Sequence, residues 1–140
     1  MKKISYGLRF YLFLSFLLDP IYFIYQLISV LRGKENPKRL LERWVTKQIK
    51  RPSGKLIWLH AASVGESLSL LPLIEKIIAD NPKINILITS TTKTSAEILE
   101  KISERQIIHQ MAPYDTFFVS KRFLKHWNPD LAVRVESEIW

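Results

Sequence analysis

The sequence predicts an α/β protein in which an N-terminal apolar helix precedes a Rossmann-like parallel sheet. From residue 55 onward, short apolar segments alternate with segments whose apolar residues recur at helical spacing, a pattern typical of βαβ units. The first of these segments, at 55–60, is an apolar run that does not alternate with polar residues, as expected of a strand covered on both faces. Before them, residues 4–31 form a long apolar stretch of a different kind. Together these observations predict an α/β domain carried on a membrane anchor.

The α/β part is assigned to residues 55–140, with four strands and three helices. The strands are predicted at 55–60, 84–89, 107–111 and 131–135, and the helices at 66–80, 95–104 and 116–126. Pro72 lies inside the first of these helices. It should bend the opening turns, because proline cannot donate a backbone hydrogen bond. The crossovers between the parallel strands should be right-handed.

Residues 1–33 are predicted to form a membrane anchor helix. The apolar stretch exceeds the roughly 20 residues that a helix needs to span a bilayer core. Asp19 and Pro20 interrupt its middle, so a bent or monotopic interfacial helix is an alternative to a transmembrane one. A cleaved signal peptide is disfavoured, because the stretch is too long and lacks a small-residue cleavage site. More basic residues follow the stretch than precede it, which predicts a globular part on the cytoplasmic side.

Residues 34–54 are predicted to form a basic amphipathic helix and a linker. Asn36 and Pro37 suit a helix start, and apolar residues then recur at helical spacing as far as Ile49. This helix could lie on a membrane surface or pack against the domain, and the pattern leaves both open. Residues 51–54 have the composition of a linker.

Positive charge is concentrated at the N-terminal end of the chain. Residues 1–55 carry a net charge of +9, and residues 56–140 carry −1. Such a basic arm predicts a polyanionic partner. Anionic lipid is favoured over nucleic acid, because the aromatic residues of the arm lie in an apolar stretch rather than among Lys and Arg. The absence of cysteine excludes disulfides and thiolate metal sites.

Polar residues follow all four predicted strands. They lie at 63–66, 90–94, 113–115 and 136–138 and should converge at the edge of the sheet where ligands bind in this fold class. Glu66 opens a helix, so it is either an ordinary first-turn acid or a general base for a substrate hydroxyl. Glu136 and Glu138 are two residues apart, hence on one side of a continuing strand.

Several other kinds of site are disfavoured. His60, Ser63 and Glu66 do not fit a hydrolytic triad, because the nucleophile elbow needs Gly-x-Ser-x-Gly and residue 61 is Ala. His60 is better explained as a buried, hydrogen-bonded residue. The threonine-rich loop 89–95 lacks both glycine-rich nucleotide fingerprints. A metal site ranks last, because His and Asp partners at ligand spacing are missing near Glu136.

Five blocks of this sequence, in order, resemble the 3-deoxy-D-manno-octulosonic acid (Kdo) transferases of lipopolysaccharide synthesis. The blocks are 58–66 (Trp-Leu-His-Ala-Ala-Ser-Val-Gly-Glu), 89–97, 113–115 (Pro-Tyr-Asp), 122–124 (Arg-Phe-Leu) and 136–140 (Glu-Ser-Glu-Ile-Trp). The family's usual Thr-Pro-Thr-Gly reads Thr-Lys-Thr-Ser at 92–95. The resemblance implies a GT-B glycosyltransferase, of which this chain holds the anchor and an incomplete acceptor-side half.

The same resemblance implies the reaction and the residues that carry it. Kdo would pass from CMP-Kdo to the lipid A precursor, lipid IVA, with inversion and without metal or cofactor, at a bacterial inner membrane. Glu66 would be the proton acceptor and Glu136 the transition-state stabiliser. Substrate contacts are expected from Ser63, Gly65, Thr92, Thr94 and Glu138. Two alternatives stay open: a membrane-tethered half-domain without activity of its own, and a GT-B transferase for another sugar or acceptor.

Overall fold

A four-stranded, fully parallel sheet forms the centre of the computed structural model, which describes residues 6–46, 49–102 and 106–135. The strands are β1 (Leu56–Ala61), β2 (Asn85–Ser90), β3 (Ile107–Met111) and β4 (Leu131–Val135). Their spatial order is β3-β2-β1-β4. This matches the first four strands of the doubly wound order 3-2-1-4-5-6, so the order reverses between β1 and β4. The predicted fold class is confirmed.

Helices cover both faces of the central strands β1 and β2, which explains why these strands carry apolar residues on both faces. On one face, α3 (Val64–Ser69), α4 (Leu71–Asp80) and α5 (Lys93–Ile102) pack on a core that includes Leu59, Ile86 and Ile88. On the other face, α6 (Phe117–Trp127) packs on Leu56 and Leu87. The elements predicted for residues 55–140 are therefore present, with ends that differ by one or two residues except in the helix that contains Pro72.

The helix predicted at 66–80 is divided into α3 and α4. Pro72 is in the first turn of α4, where a missing N–H costs no hydrogen bond. Local hydrogen bonds cap the C-terminal end of α3: the Leu70 N–H and the Ser69 hydroxyl both donate to the Glu66 carbonyl, at 3.2 and 2.8 Å. Glu66 therefore lies on a short separate helix, whose orientation is set by this break.

The prediction of a helix that reaches Ile49 is wrong, because the helix is much shorter. A 3₁₀ turn (Pro37–Arg39) leads into α2, which is only Leu40–Arg43. Val45 then adopts φ +53°, and the Thr46 N–H donates to the Leu41 carbonyl, a Schellman ending. A left-handed β-branched residue is strained, but Val45 is only 1% exposed, so burial of its side chain offsets that cost.

Two of the basic residues in this segment, Arg39 and Arg43, face the domain rather than solvent. Arg39 pairs with Glu42 at 2.7 Å and with Glu100 at 2.6 Å. Glu42 in turn accepts from the Met111 N–H at 3.0 Å, on the edge strand β3. Of the two placements that the sequence left open, the structure favours packing on the domain, where α2 covers a sheet edge that would otherwise expose backbone groups.

His109 lies beneath this contact and is held neutral. Arg39 donates to His109 Nδ1 at 2.8 Å, so the ring proton is on Nε2, which donates to the Ser90 hydroxyl at 2.9 Å. Burial, and then the charge of Arg39, lowers the pKa of His109 from 6.5 to about 3. In the unfolded chain this histidine binds a proton near pH 6.5, whereas in the folded chain it does so only near pH 3. The free energy of unfolding is therefore undiminished by this group above pH 6.5, and it decreases as the pH falls toward 3.

We expect His109 to dominate the acid sensitivity of the fold between pH 6 and 4. The free energy of unfolding should fall by about 1.4 kcal/mol per pH unit from this group alone. His109→Gln keeps an acceptor for Arg39 but cannot be protonated in this range. Urea unfolding at pH 7, 6 and 5 should show a flatter pH profile for this variant than for the parent protein. Equal slopes would contradict the assignment.

The N-terminal helix α1 (Tyr6–Leu31) lies against the α6 side of the domain. Within the described residues it is the single helix long and apolar enough to cross a membrane, over Arg9–Leu31. The Tyr22 ring stacks on the Tyr114 ring with centroids 4.8 Å apart. Gln26 donates to the Leu40 carbonyl at 2.9 Å and accepts from Trp44 Nε1 at 2.7 Å. Thus α1 and the segment after it form one packed unit with the domain.

Candidate functional site

The loops after β1 and β2 meet at the carboxyl edge of the sheet. The Thr91 hydroxyl, beyond β2, donates to the Ala62 carbonyl, beyond β1. The Ala62 N–H donates to Glu66 Oε2 at 2.7 Å. A chain of two hydrogen bonds thus connects the second loop to the predicted base. Because β1 borders the point where strand order reverses, these loops flank the crevice where ligands bind in this fold class.

Glu66 has one carboxylate oxygen engaged by the backbone. Oε2 accepts from Ala62, and within the described part of the chain Oε1 accepts no hydrogen bond. The side chain is partly exposed. The carboxylate is therefore held in place through one oxygen while the other can receive a proton, which is the arrangement that a general base needs. The same contact also closes the N-terminal end of α3, so the ordinary capping role exists beside any chemical one.

Ser63 and Gly65 lie on the same turn. The Ser63 hydroxyl accepts from the Glu66 N–H at 3.2 Å, which makes Ser63 the N-cap of α3. Gly65 is exposed, and a side chain added there would meet no atom within 4 Å. Packing and φ do not require glycine at this position, so its small size leaves the surface beside Glu66 open.

Thr92 and Thr94 line a polar cleft of about 350 Å³. Its other wall is the C-terminal end of α1 and the turn after it, and its lining includes Tyr25, Lys34 and Lys93. The Thr92 hydroxyl also accepts from the Ser95 N–H at 3.1 Å, which caps α5. Thr94 is exposed. The structure therefore places both threonines where the apolar helix ends and the sheet edge begins.

His60 is a hydrogen-bonded, partly buried residue, as the sequence predicted. Its Nδ1 lies 2.9 Å from the Thr89 hydroxyl, which also accepts from Trp58 Nε1 at 2.9 Å. Trp58 and His60 line a larger cleft of about 510 Å³ on the α6 side of the carboxyl edge. Glu66 does not line this cleft. Thr91 does line it, and hydrogen bonds through Ala62 connect Thr91 to Glu66.

The same cleft includes one residue that the sequence placed at this edge and one that it did not. Asp115 and Arg134 both line it, the first beyond β3 and the second near the end of β4. Asp115 belongs to the polar residues 113–115 that were expected at this edge, although no role was predicted for it. Arg134 was not predicted, because its place in the cleft depends on pairing opposite His60 in the sheet.

Arg43 positions two of the loops, a role that the sequence did not indicate. Its guanidinium donates to the Thr91 carbonyl at 2.5 Å and to the Ala112 carbonyl at 3.2 Å. It also pairs with Glu35 at 2.7 Å, and the residue is only 7% exposed. The carboxyl ends of β2 and β3 are thus held together by one buried cation from α2.

Glu136 and Glu138 lie outside the described residues, so their predicted roles stay predictions. β4 is described as far as Val135, which pairs with Ala61 across the point of strand reversal. The chain therefore leaves β4 at the same edge of the sheet as Glu66.

The fold and these loops define a Rossmann-type α/β unit with its ligand edge beside an apolar helix. The chain belongs to the 3-deoxy-D-manno-octulosonic-acid transferase (kdotransferase) family, whose model matches residues 38–140. The family resemblance seen in the motifs is confirmed.

Individual relatives agree with this assignment. The chain is 44% identical over 133 residues to the 3-deoxy-D-manno-octulosonic acid transferase of Rickettsia bellii, covering 95% of this chain and 32% of the relative. It is 34% identical over 140 residues to the probable mitochondrial enzyme of that name from Arabidopsis thaliana, covering 100% and 31%. The Haemophilus influenzae enzyme is 28% identical over 132 residues, covering 94% and 31%. The chain thus spans about a third of the length of these relatives. No solved structure gives a significant match.

Proposed function

We propose that this chain is the acceptor-side part of a GT-B enzyme that transfers Kdo from CMP-Kdo to the lipid A precursor, lipid IVA. The reaction inverts the sugar carbon and uses no metal or cofactor. The site works at the cytoplasmic face of a bacterial inner membrane. Family membership supports the sugar-transfer class, and the donor, acceptor and stereochemistry are our inference from the resemblance.

The observation that carries this proposal is the position of the polar cleft lined by Thr92 and Thr94. One wall of the cleft is the end of α1, whose outer surface is apolar, and Lys34 and Lys93 lie in its lining. An amphiphilic acceptor has the matching chemistry, since its acyl chains suit the apolar surface and its anionic headgroup suits the lysines. A water-soluble acceptor would have no use for this arrangement.

The chemistry that we propose uses Glu66 as the general base. Its carboxylate takes the proton of the acceptor hydroxyl while that oxygen attacks the anomeric carbon of Kdo. The bond from that carbon to the CMP phosphate oxygen breaks, and CMP leaves with the electron pair. Glu136 stabilises the charge that develops at the sugar. Ser63, Gly65 and Glu138 contact the substrates, in addition to Thr92 and Thr94.

Binding of lipid IVA to the chain itself tests the acceptor side. We expect the chain to bind lipid vesicles containing lipid IVA more tightly than vesicles without it. Lys34→Ala and Lys93→Ala should each weaken the lipid-IVA-dependent part about fivefold, from roughly 1 kcal/mol per cation. Lys76→Ala is the control, because Lys76 is an exposed lysine on α4 that pairs with Asp80. Equal binding to both kinds of vesicle would overturn the assignment of the acceptor.

Sugar transfer by the full-length protein tests the donor. Kdo from CMP-Kdo should appear on lipid IVA by mass spectrometry, and a different CMP-activated sugar should not. The length of the relatives favours one further possibility, that this chain alone binds acceptor without turnover. Assaying the chain and the full-length protein side by side separates the two cases.

A further inference from the structure

The surface of α1 is divided into two stripes of opposite character. The stripe that is buried or half-buried recurs every three or four positions along one face of the helix, and it includes Leu12, Ser15, Asp19, Tyr22, Gln26 and Ser29. The three of these that are fully buried, Ser15, Gln26 and Ser29, are all polar. The buried face of α1 is therefore its polar face.

The opposite face of α1 is apolar and exposed. Large apolar side chains there include Phe10, Leu17 and Ile24, which are 67%, 46% and 57% exposed. A helix of a water-soluble protein shows the reverse pattern, with its apolar face inward. Exposed cations lie at both ends of this surface, Arg9 at one end and Arg32 and Lys34 at the other. An apolar strip with basic ends matches the hydrocarbon and the anionic headgroups of a lipid leaflet.

The polar stripe is the face that docks on the domain, and the contact runs along most of the helix. It extends from Tyr11, whose ring is 6.5 Å from that of Phe117, to Gln26, which bonds to Leu40 and Trp44. The fifteen residue-to-residue steps from Tyr11 to Gln26 cover about 22 Å at a rise of 1.5 Å each. The domain therefore flanks α1 over much of the roughly 30 Å that a membrane crossing needs.

A crossing helix would carry this flank of the domain into the bilayer. The flank includes α6, whose Lys121, Arg122 and Lys125 are exposed. Charged side chains at that depth are rare and costly, and here they would face lipid. A helix parallel to the membrane plane avoids this, because its apolar face enters the leaflet while its polar face and the domain stay in water.

We propose that α1 is an in-plane, monotopic membrane helix whose polar stripe is its docking face on the domain. The outer part of one lipid leaflet covers the opposite, apolar face of the helix. An apolar groove of about 600 Å³ continues this surface onto the domain, between Phe23 and Ile24 of α1 and Leu41 and Trp44 beyond it. This inference concerns the topology of the chain and does not depend on which sugar or acceptor the protein uses.

Depth measurements along the helix test the proposal. The sequence contains no cysteine, so Phe10→Cys, Leu17→Cys and Ile24→Cys each provide one labelling site, and their spacing of seven residues keeps them on one face. Each variant is labelled with an environment-sensitive fluorophore and bound to vesicles containing lipids brominated at shallow or deep positions. We expect the same shallow depth at all three sites. Depths that change by about 10 Å between successive sites, as in a crossing helix, would overturn the proposal.

Accessibility of the two helix ends provides a second, independent readout. Tyr6→Cys and Lys34→Cys mark the ends of α1, and Glu75→Cys on α4 marks the side occupied by the domain; all three positions are exposed. A membrane-impermeant maleimide should label all three from the same side of inner-membrane vesicles. Labelling of positions 6 and 34 from opposite sides would overturn the proposal, as would a chain that does not sediment with membranes.

Discussion

Glu66→Gln is expected to slow sugar transfer by the full-length protein by about 10²- to 10⁴-fold while leaving its stability almost unchanged. Glutamine can keep the structural contact, because its amide oxygen can accept from the Ala62 N–H as Glu66 Oε2 does at 2.7 Å. It cannot take a proton from the acceptor hydroxyl. Initial rates with CMP-Kdo and lipid IVA, together with thermal unfolding of the same preparations, measure the two effects separately.

Two further variants separate chemistry from capping. Glu66→Ala removes both roles, so it should lose activity and also about 1 kcal/mol of stability. Glu75→Gln is the matched control, because it removes a carboxylate from an exposed position on α4. If Glu66→Gln kept substantial activity, or if its loss of activity matched a loss of folded protein, Glu66 would not be the base.

Arg43→Met is expected to cost about 3–5 kcal/mol of stability, because it leaves a largely buried carboxylate without its partner. Glu35 would lose the contact at 2.7 Å, and the Thr91 and Ala112 carbonyls would lose their donor. Urea unfolding measures the change. Since a loss of this size approaches the whole stability of many domains, Arg43→Lys serves as a milder variant that keeps the charge but not the fork of donors.

The double variant Glu35→Gln, Arg43→Met tests the reason for that loss. Neutralising Glu35 removes the unpaired charge, so the double variant should be more stable than Arg43→Met alone. Lys38→Met is the control for loss of a cation, since Lys38 is exposed in the same segment, and it should change stability by less than about 0.5 kcal/mol. Equal unfolding midpoints for Arg43→Met and Lys38→Met would contradict the role assigned to Arg43.

The sheet was predictable because its signals are local. The central strands β1 and β2 are short apolar runs, and burial on both faces is the direct cause: Leu87 faces α6 while Ile86 and Ile88 face the other helices. Ser63 and Glu66 could likewise be placed, because N-cap chemistry acts over three residues. Their position relative to Thr91 depends on β1 and β2 being neighbours in the sheet, which the alternation of elements does not specify.

The segment after α1 was less predictable because its partners are distant in sequence. The same basic residues could face phosphate headgroups or carboxylates, and only the fold brings Glu100 to Arg39. Its helix ends early because Val45 takes a left-handed conformation that glycine or asparagine would have signalled and valine does not. The role of Arg43 was hidden for the same reason, since its carbonyl partners at Thr91 and Ala112 carry no side-chain signature.

The stacking of Tyr22 on Tyr114 has a practical consequence for making a water-soluble version of this protein. Deleting residues 1–33 would uncover the Tyr114 ring and the Trp44 indole and remove both hydrogen bonds of Gln26. The exposed aromatic surface would then promote aggregation. Replacing the outward residues of α1 with glutamate and lysine, while keeping its polar stripe, should yield a soluble protein whose loops keep their arrangement.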